Sequence, residues 1–198
     1  QIEILNKLYY NGILIGLKNI KLLNTEEALK IEPHCKNVIQ ALHIPSSGII
    51  DYKLVGLKLL ELIKEKGAII KFKTLVNKIQ NHKKEILVST NKGIIKTKKI
   101  ILCTGVFSDK FLSESLKKKF RVFPFKGEYY YLKKSATKYV NGLIYPVPDI
   151  DFPFLGVHLT KTTNNEVEAG PNAILSFAKE GYTKFSFKWN DFFQIILV

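Results

Sequence analysis

The 198 residues contain no methionine, one tryptophan and only two cysteines. Cys35 and Cys103 lie far apart, the first after Pro33-His34 and the second inside an apolar run. This usage indicates neither a disulfide framework nor a metal site, so we predict no bound metal and a reducing compartment, the cytoplasm. No apolar run approaches the roughly 18 residues that a transmembrane helix requires, so we predict no transmembrane segment.

Arginine is nearly absent as well. The chain has 31 lysine and arginine residues against 17 acidic ones, a formal net charge of +14, and Arg121 is its single arginine. Base recognition and bidentate phosphate binding favour arginine, and the lysines are scattered along the chain. We therefore predict no nucleic-acid partner and only an unspecific preference for anions. A basic nucleic-acid-binding module is the weakest alternative, because it needs lysines clustered on one face.

The sequence also lacks a G-x-G-x-x-G turn, the glycine-rich loop that binds dinucleotide phosphates at a helix N-terminus. What is present is a chain that is 46% hydrophobic and 12% aromatic, enough to bury a core in one domain or in two interleaved domains. The charged and apolar residues alternate with helical and strand periods, so the chain is predicted to mix both element types.

Apolar spacing and capping residues predict helices over 1–12, 24–32 and 52–66. Asn24 with Glu27 is a capping pair for the second helix, and Asp51 is the N-cap of the third. The first helix is predicted to stop at Asn11-Gly12. Strands are predicted over 16–23, 38–44, 68–72, 75–80, 85–90 and 93–97. The turn at Asn91-Lys92-Gly93 predicts that the last two form a hairpin.

The run 99–104 is continuously apolar and ends in Thr104-Gly105. Such a run is typical of a strand buried on both faces of a parallel sheet. A glycine directly after the strand lets the backbone approach a ligand at the carboxyl end of the sheet. The alternative is an ordinary glycine turn after a strand. A helix is predicted to open at Phe107-Ser108-Asp109.

Alternating aromatic residues predict strands over 121–125 and 128–132. In 142–173, prolines separate two short apolar runs, and a further strand is predicted to end at Gly170. If the run around His158 is a strand, His158 and Thr160 share the face opposite Val157 and Leu159. An imidazole titrates near neutral pH, so His158 is a candidate general base; the alternative is a histidine satisfied in the core.

The strings LIYPVPDIDFPFLGVHLT and EVEAGPNA resemble the L-2-hydroxyglutarate oxidase/dehydrogenase family. These are flavoproteins of the group that includes glycine oxidase, sarcosine oxidase and D-amino-acid oxidase. KKIILCTGVFSD, HIPSSGIID and FPFKGEYYYL resemble further parts of the family, so the resemblance covers essentially the whole chain. It implies an α/β (α+β) fold in which part of an FAD-binding, Rossmann-like parallel sheet layer interleaves with an antiparallel-sheet substrate domain. Residues 68–112 would belong mainly to the FAD layer, and 18–50 and 120–175 mainly to the substrate sheet.

The resemblance implies FAD-dependent oxidation of L-2-hydroxyglutarate, a small 2-hydroxy acid, to 2-oxoglutarate by hydride transfer to the flavin. The electron acceptor, oxygen or a quinone, stays open, as does peripheral association with the inner membrane. One alternative is another flavoprotein of the group that acts on an amine or on glycerol 3-phosphate. The other is a non-catalytic remnant. In the family the phosphate-binding turn precedes the region matched here and a C-terminal segment follows it, so we expect the chain to correspond to the central part of the enzyme.

The resemblance also implies roles for individual residues. His158 is the catalytic base, although a core histidine is the competing interpretation. Lys126 stands where the family often has arginine, which weakens bidentate recognition of a carboxylate. His43, Ser47 and Asn172 are equally compatible with strand-end and turn chemistry. The implied substrate-binding residues are His43, Ser47, Lys126, Thr160 and Asn172, and the implied FAD-binding residues are Gly48, Val76, Cys103, Thr104 and Gly105.

One expectation concerns FAD binding by these 198 residues alone. Because they contain no glycine-rich phosphate turn with its backbone donors, we expect the isolated chain to bind FAD weakly or not at all. The absorbance spectrum of the purified chain tests this. A tightly held, stoichiometric flavin band would mean that another loop binds the phosphates.

Overall fold

The computed structural model of the chain describes residues 1–117, 119–149 and 151–196, without the side chains of Glu114 and Ser115. The apolar run at the end of the sequence reaches Leu197 and Val198, which lie outside the described residues. The chain divides into two compact units, each made of two separate stretches. The first unit comprises Gln1–Gly56 and Gly127–Ile174, and the second comprises Leu57–Lys126 and Leu175–Val198.

The elements are numbered in chain order. The described α-helices are α1 (Ile2–Leu14), α2 (Thr25–Ile31), α3 (Tyr52–Glu65), α4 (Glu114–Lys117) and α5 (Trp189–Ile196). Two 3₁₀ helices span Gly105–Phe111 and Lys134–Tyr139. The described strands are β1 (Lys21–Asn24), β2 (Gln40–His43), β3 (Val76–His82), β4 (Glu85–Thr90), β5 (Gly93–Thr97), β6 (Phe125–Tyr131), β7 (Leu143–Ile144), β8 (His158–Lys161) and β9 (Val167–Leu175).

The capping pair predicted for the second helix is confirmed. The Asn24 side chain accepts a hydrogen bond from the Glu27 backbone N–H, and the Glu27 carboxylate accepts one from the Asn24 N–H, both at 2.9 Å. This reciprocal capping box starts α2, which ends at Ile31, before Pro33. The stop predicted at Asn11-Gly12 is wrong, because α1 continues to Leu14. A Cβ on Gly12 would clash with Ile20 Cδ1, so this glycine lets Ile20, which follows the helix, pack closely against α1.

In the first unit, β1 and β2 form an antiparallel pair in the register Lys21↔His43. A second sheet has the strand order β6-β9-β8-β7. β8 pairs antiparallel with β7 and with β9, where His158 lies opposite Gly170. β6 runs opposite to β9, because Leu132 N–H donates to Val167 O while Gly170 lies beside Tyr129. Val167 is fully buried in this unit.

Two predicted strand boundaries in this sheet are wrong. β6 is one continuous strand across Lys126-Gly127, and 121–124 is not part of it. β9 does not end at Gly170 but continues through Pro171 to Leu175.

In the second unit, β3, β4 and β5 form an antiparallel sheet in sequence order, as the predicted strands and hairpin require. The strand predicted over 68–72 is absent from the described structure, where this segment is irregular. α3 starts in the first unit, at Tyr52, and continues into the second. It begins as predicted, since Asp51 Oδ1 accepts hydrogen bonds from the backbone N–H groups of Lys53 and Leu54. Its apolar residues Leu54, Leu57, Leu59 and Ile63 are exposed rather than packed in a core.

The parallel strand predicted over 99–104 is wrong. The segment is irregular, and Ile101 and Leu102 are 88% and 44% exposed. A doubly buried strand needs partner strands that satisfy its backbone groups, and no strand among the described residues pairs with this one. The mixed helix and sheet fold with an antiparallel sheet over 125–175 is confirmed. None of the described helices is long and apolar enough to cross a lipid bilayer.

Candidate active site

His158 is the first residue of β8 and is 7% exposed. Its Nδ1 atom lies 3.0 Å from the carbonyl oxygen of Gly156. This is the ring's one hydrogen bond to another described residue. The histidine is therefore held at a strand end by a contact from two residues earlier in the chain.

Two tyrosine rings flank the imidazole. Tyr145 stacks on it with a centroid distance of 4.3 Å and an interplanar angle of 24°, and Tyr129 approaches edge-on at 6.4 Å. The register Leu143↔Thr160 and Ile144↔Leu159 brings Tyr145 opposite His158. Pairing between separate segments thus places one stacked and one edge-on tyrosine ring beside the imidazole.

The same face of the sheet carries a second polar group. Thr160 alternates with His158 along β8 and lies opposite Glu168 of β9, so the two share the face of the imidazole. Tyr131 of β6 lies on the same face, and its phenol interacts with the Glu168 carboxylate. We call this surface, made of Tyr129, Tyr131, Tyr145, His158, Thr160 and Glu168, the imidazole face.

Tyrosine pKa values on the imidazole face are raised. The hydrogen bond to Glu168, followed by the charge of that carboxylate, raises the pKa of Tyr131. For Tyr129, burial is the main cause of the raised pKa, and the charges of Glu168 and Tyr145 add to it. The imidazole face therefore favours protonated phenols, because Glu168 opposes a second negative charge nearby.

The second unit contains a different polar feature at Thr104-Gly105. The Thr104 hydroxyl oxygen is buried and has no hydrogen-bond partner among the described residues. Gly105 has φ of +52°, and the space where its Cβ would lie is open. A buried oxygen without a partner beside an open, left-handed glycine suits a ligand that brings its own polar atoms close to the backbone.

Comparison with known proteins identifies the family. The sequence profile of the FAD dependent oxidoreductase family matches residues 3–194. The chain belongs to this family of FAD dependent oxidoreductases. The resemblance inferred from the sequence motifs is thereby confirmed.

The relatives of this FAD dependent oxidoreductase include L-2-hydroxyglutarate dehydrogenases. The protein of that name from Indibacter alkaliphilus is 41% identical over 93% of this chain and 46% of its own length. The mitochondrial L-2-hydroxyglutarate dehydrogenase of Homo sapiens is 34% identical over 100% of this chain and 45% of its own. The chain thus spans less than half the length of these curated relatives.

Among solved structures, glycine oxidase from Geobacillus kaustophilus is similar with a TM-score of 0.63 and 19% identity, over 88% of this chain and 45% of that one. At this identity the likeness concerns the fold alone. It agrees with the mixed helix and sheet architecture described above.

The residues that the oxidoreductase resemblance nominated for FAD all lie in the second unit except Gly48. Thr104 and Gly105 form the turn described above, and Cys103 before them is exposed. Val76 is the first residue of β3 and lies opposite Thr90 of β4. The unpartnered Thr104 oxygen and the open Gly105 fit a bound cofactor.

The nominated substrate residues are only partly brought together. Thr160 shares the imidazole face with His158, and Asn172 is exposed on β9. Lys126 alternates with Gly127 and Tyr129 along β6, which directs it to the opposite face of the strand. His43 ends β2 in the two-stranded sheet, and Ser47 and Gly48 follow in an exposed irregular loop.

Sequence reasoning did not nominate Tyr145 or Glu168. Their residue types did not indicate a functional site, because a tyrosine before a proline and a glutamate in a strand are both common surface residues. Only the register of β7 and β9 against β8 shows that they lie beside His158 and Thr160.

Glu168→Gln should lower the tyrosine pKa values on the imidazole face, since it removes the anionic acceptor. A tyrosine whose pKa is raised on folding stabilises the folded chain at pH values below the ordinary tyrosine pKa of about 10. This stabilisation is lost as the pH rises through the pKa of the tyrosine in the folded chain. The parent chain should therefore lose stability in alkaline solution more steeply than the variant. Spectrophotometric tyrosine titration and denaturation above pH ~10 measure both effects. Glu61→Gln on α3 is the control, and identical titrations for parent and Glu168→Gln would contradict the assignment.

Proposed function

We propose that this FAD dependent oxidoreductase oxidises L-2-hydroxyglutarate to 2-oxoglutarate. The observation that carries the proposal is His158, buried at a strand end with one tyrosine ring stacked on its imidazole and a second meeting it edge-on. The identity to L-2-hydroxyglutarate dehydrogenases supports the choice of a 2-hydroxy acid over the amine and glycerol 3-phosphate substrates of related flavoproteins.

In the proposed reaction His158 accepts the proton of the substrate hydroxyl while a carbonyl group forms at Cα. When bound, FAD supplies the acceptor for the hydride that leaves Cα. An imidazole suits the proton transfer because its ordinary pKa lies close to neutral pH. Burial of the ring keeps bulk water away from that proton.

Substrate orientation follows from the charges on the imidazole face. Glu168 repels carboxylates, so we place the two substrate carboxylates away from the edge formed by Glu168 and Tyr131. Thr160 and Asn172 are proposed to donate hydrogen bonds to the substrate. His43 and Ser47 remain proposed carboxylate ligands on their loop. Lys126 is the weakest member of the set, because strand alternation directs it away from the imidazole face.

We further propose that FAD and the substrate are bound by different ranges of the chain. Residues 68–112 lie in the second unit and are proposed to contribute the FAD-binding layer, through Val76, Cys103, Thr104 and Gly105. Residues 18–50 and most of 120–175 lie in the first unit and are proposed to form the substrate sheet, and Gly48 remains a proposed FAD-binding residue.

The test is anaerobic flavin reduction with FAD in excess over the chain, so that weak cofactor binding does not hide activity. L-2-hydroxyglutarate should bleach the visible flavin absorbance, and D-2-hydroxyglutarate should not. Bleaching by sarcosine or glycerol 3-phosphate instead would support the alternative oxidases. No bleaching with any substrate would support the non-catalytic alternative.

A second proposal concerns peripheral attachment to an anionic membrane, where a quinone rather than oxygen would receive the electrons. Trp189 and Phe193 stack on one side of α5 and are 66% and 49% exposed. Aromatic rings flanked by Lys184 and Lys188 suit the boundary between lipid headgroups and acyl chains, and a net charge of +14 favours anionic lipids.

Sedimentation with vesicles tests this attachment. The chain should pellet with phosphatidylglycerol vesicles, less so with phosphatidylcholine vesicles, and less at high salt. Trp189→Gln with Phe193→Gln should reduce pelleting, whereas Tyr10→Gln, at another exposed aromatic residue, should not. Equal pelleting by all variants would contradict the role of α5.

A further inference from the structure

The surroundings of His158 also determine which of its two ring nitrogens carries the proton. Its Nδ1 atom lies 3.0 Å from the Gly156 carbonyl oxygen. A carbonyl oxygen can only accept a hydrogen bond, so Nδ1 must carry the proton. In the neutral ring the lone pair then resides on Nε2, the nitrogen that no described residue engages.

Pro146, the residue that follows Tyr145, restricts the position of Gly156. A Cβ on Gly156 would lie 2.6 Å from Cγ of Pro146, so the glycine backbone packs directly against the proline ring. The proline ring is rigid, with φ fixed near −65°, and it offers no flexible end that could move aside. Any side chain at position 156 must displace Pro146 or the carbonyl that holds Nδ1.

Tyr145 completes the arrangement. Its ring lies nearly parallel to the imidazole at 4.3 Å and restricts rotation about the His158 side chain. Tyr145 and Pro146 are adjacent in the chain, so one dipeptide contacts both the imidazole and the glycine that binds it. Tyr129 meets the ring edge-on, and Glu168 lies on the same sheet face, opposite Thr160.

We infer that Tyr145 and Gly156 are positioning residues that hold His158 as its Nδ1–H tautomer and leave Nε2 as the atom that accepts the substrate proton. The inference deepens the proposed function and rests on it only for the identity of that proton. The tautomer is a property of the chain without FAD or substrate, and it can be measured there.

The experiment is long-range ¹H–¹⁵N correlation of the four histidine side chains in the ¹⁵N-labelled chain. His158→Asn assigns the signal. At a pH high enough to keep the imidazole neutral, His158 should be predominantly in the Nδ1–H form. Gly156→Ala and Tyr145→Leu should convert it to a mixture of tautomers, and Tyr145→Phe, which keeps a stacking ring, should retain the parent pattern.

The signals of His34, His43 and His82 report whether each variant is folded. A parent His158 in the Nε2–H form would overturn the inference, even if Gly156→Ala failed to fold. So would an unchanged tautomer in folded Tyr145→Leu. If the tautomers behave as expected but no substrate reduces added FAD, the proposed function fails and the positioning of His158 stands.

Discussion

His158→Asn should slow flavin reduction by L-2-hydroxyglutarate by about a hundred- to ten-thousand-fold at neutral pH, because removal of a general base typically costs that much in the chemical step. Asparagine is polar and of similar size, but it has no titratable nitrogen near neutral pH. The measurement is stopped-flow flavin reduction at equal, excess FAD, alongside thermal melts. The melting temperature should change little.

The competing interpretation of His158 as a core histidine makes the opposite prediction. A misplaced polar group in a buried position would cost roughly 1–3 kcal/mol of unfolding free energy and leave the chemistry unchanged. His82→Asn is the matched control, because His82 ends β3 and is exposed. A His158 variant that reduces flavin at the parent rate but melts early would exclude the residue as the base, and His43 would be tested next.

Lys179→Met should be among the most destabilising single changes in the second unit. Lys179 Nζ lies 2.5 Å from Asp109 Oδ1, and the two side chains are 8% and 15% exposed. Breaking a buried ion pair from one side leaves an uncompensated charge and typically costs about 3–5 kcal/mol. Asp109 keeps a hydrogen bond from the Val122 N–H at 3.3 Å, which is too weak to compensate.

The chain contains a suitable control pair. Lys30 Nζ lies 2.9 Å from Glu26 on α2, but these side chains are 70% and 81% exposed. Solvent screens such a pair, so Lys30→Met should cost at most about 0.5 kcal/mol. Urea unfolding compares the variants, each against the parent chain. Equal and small losses for both would show that the Asp109–Lys179 pair contributes no more than a surface contact.

Local sequence signals predicted the starts of α2 and α3. The capping box of Asn24 and Glu27 and the cap of Asp51 join residues only two or three positions apart, so their chemistry is contained in a short window. The hairpin strands β4 and β5 were predicted for the same reason. Their alternation and the turn between them are contiguous in the chain.

The candidate site was predicted only in part. His158 and Thr160 lie on one strand, and their shared face follows from the strand period of two. Tyr145 and Glu168 reach that face through the pairing of β8 with β7 and β9, which depends on register across long separations. The direction of Lys126 likewise depended on β6 running unbroken through Lys126-Gly127.

By itself the sequence determined the family, the helix caps, the hairpin and the nomination of His158, because each rests on a string or spacing that needs no distant partner. The tertiary structure decided the rest. The run 99–104 shows why: its apolar residues are compatible with a buried strand, but a strand exists only where neighbours satisfy its N–H and C=O groups. The same dependence on partners gave His158 its stacked tyrosine and its bond to Gly156, neither of which a linear pattern contains.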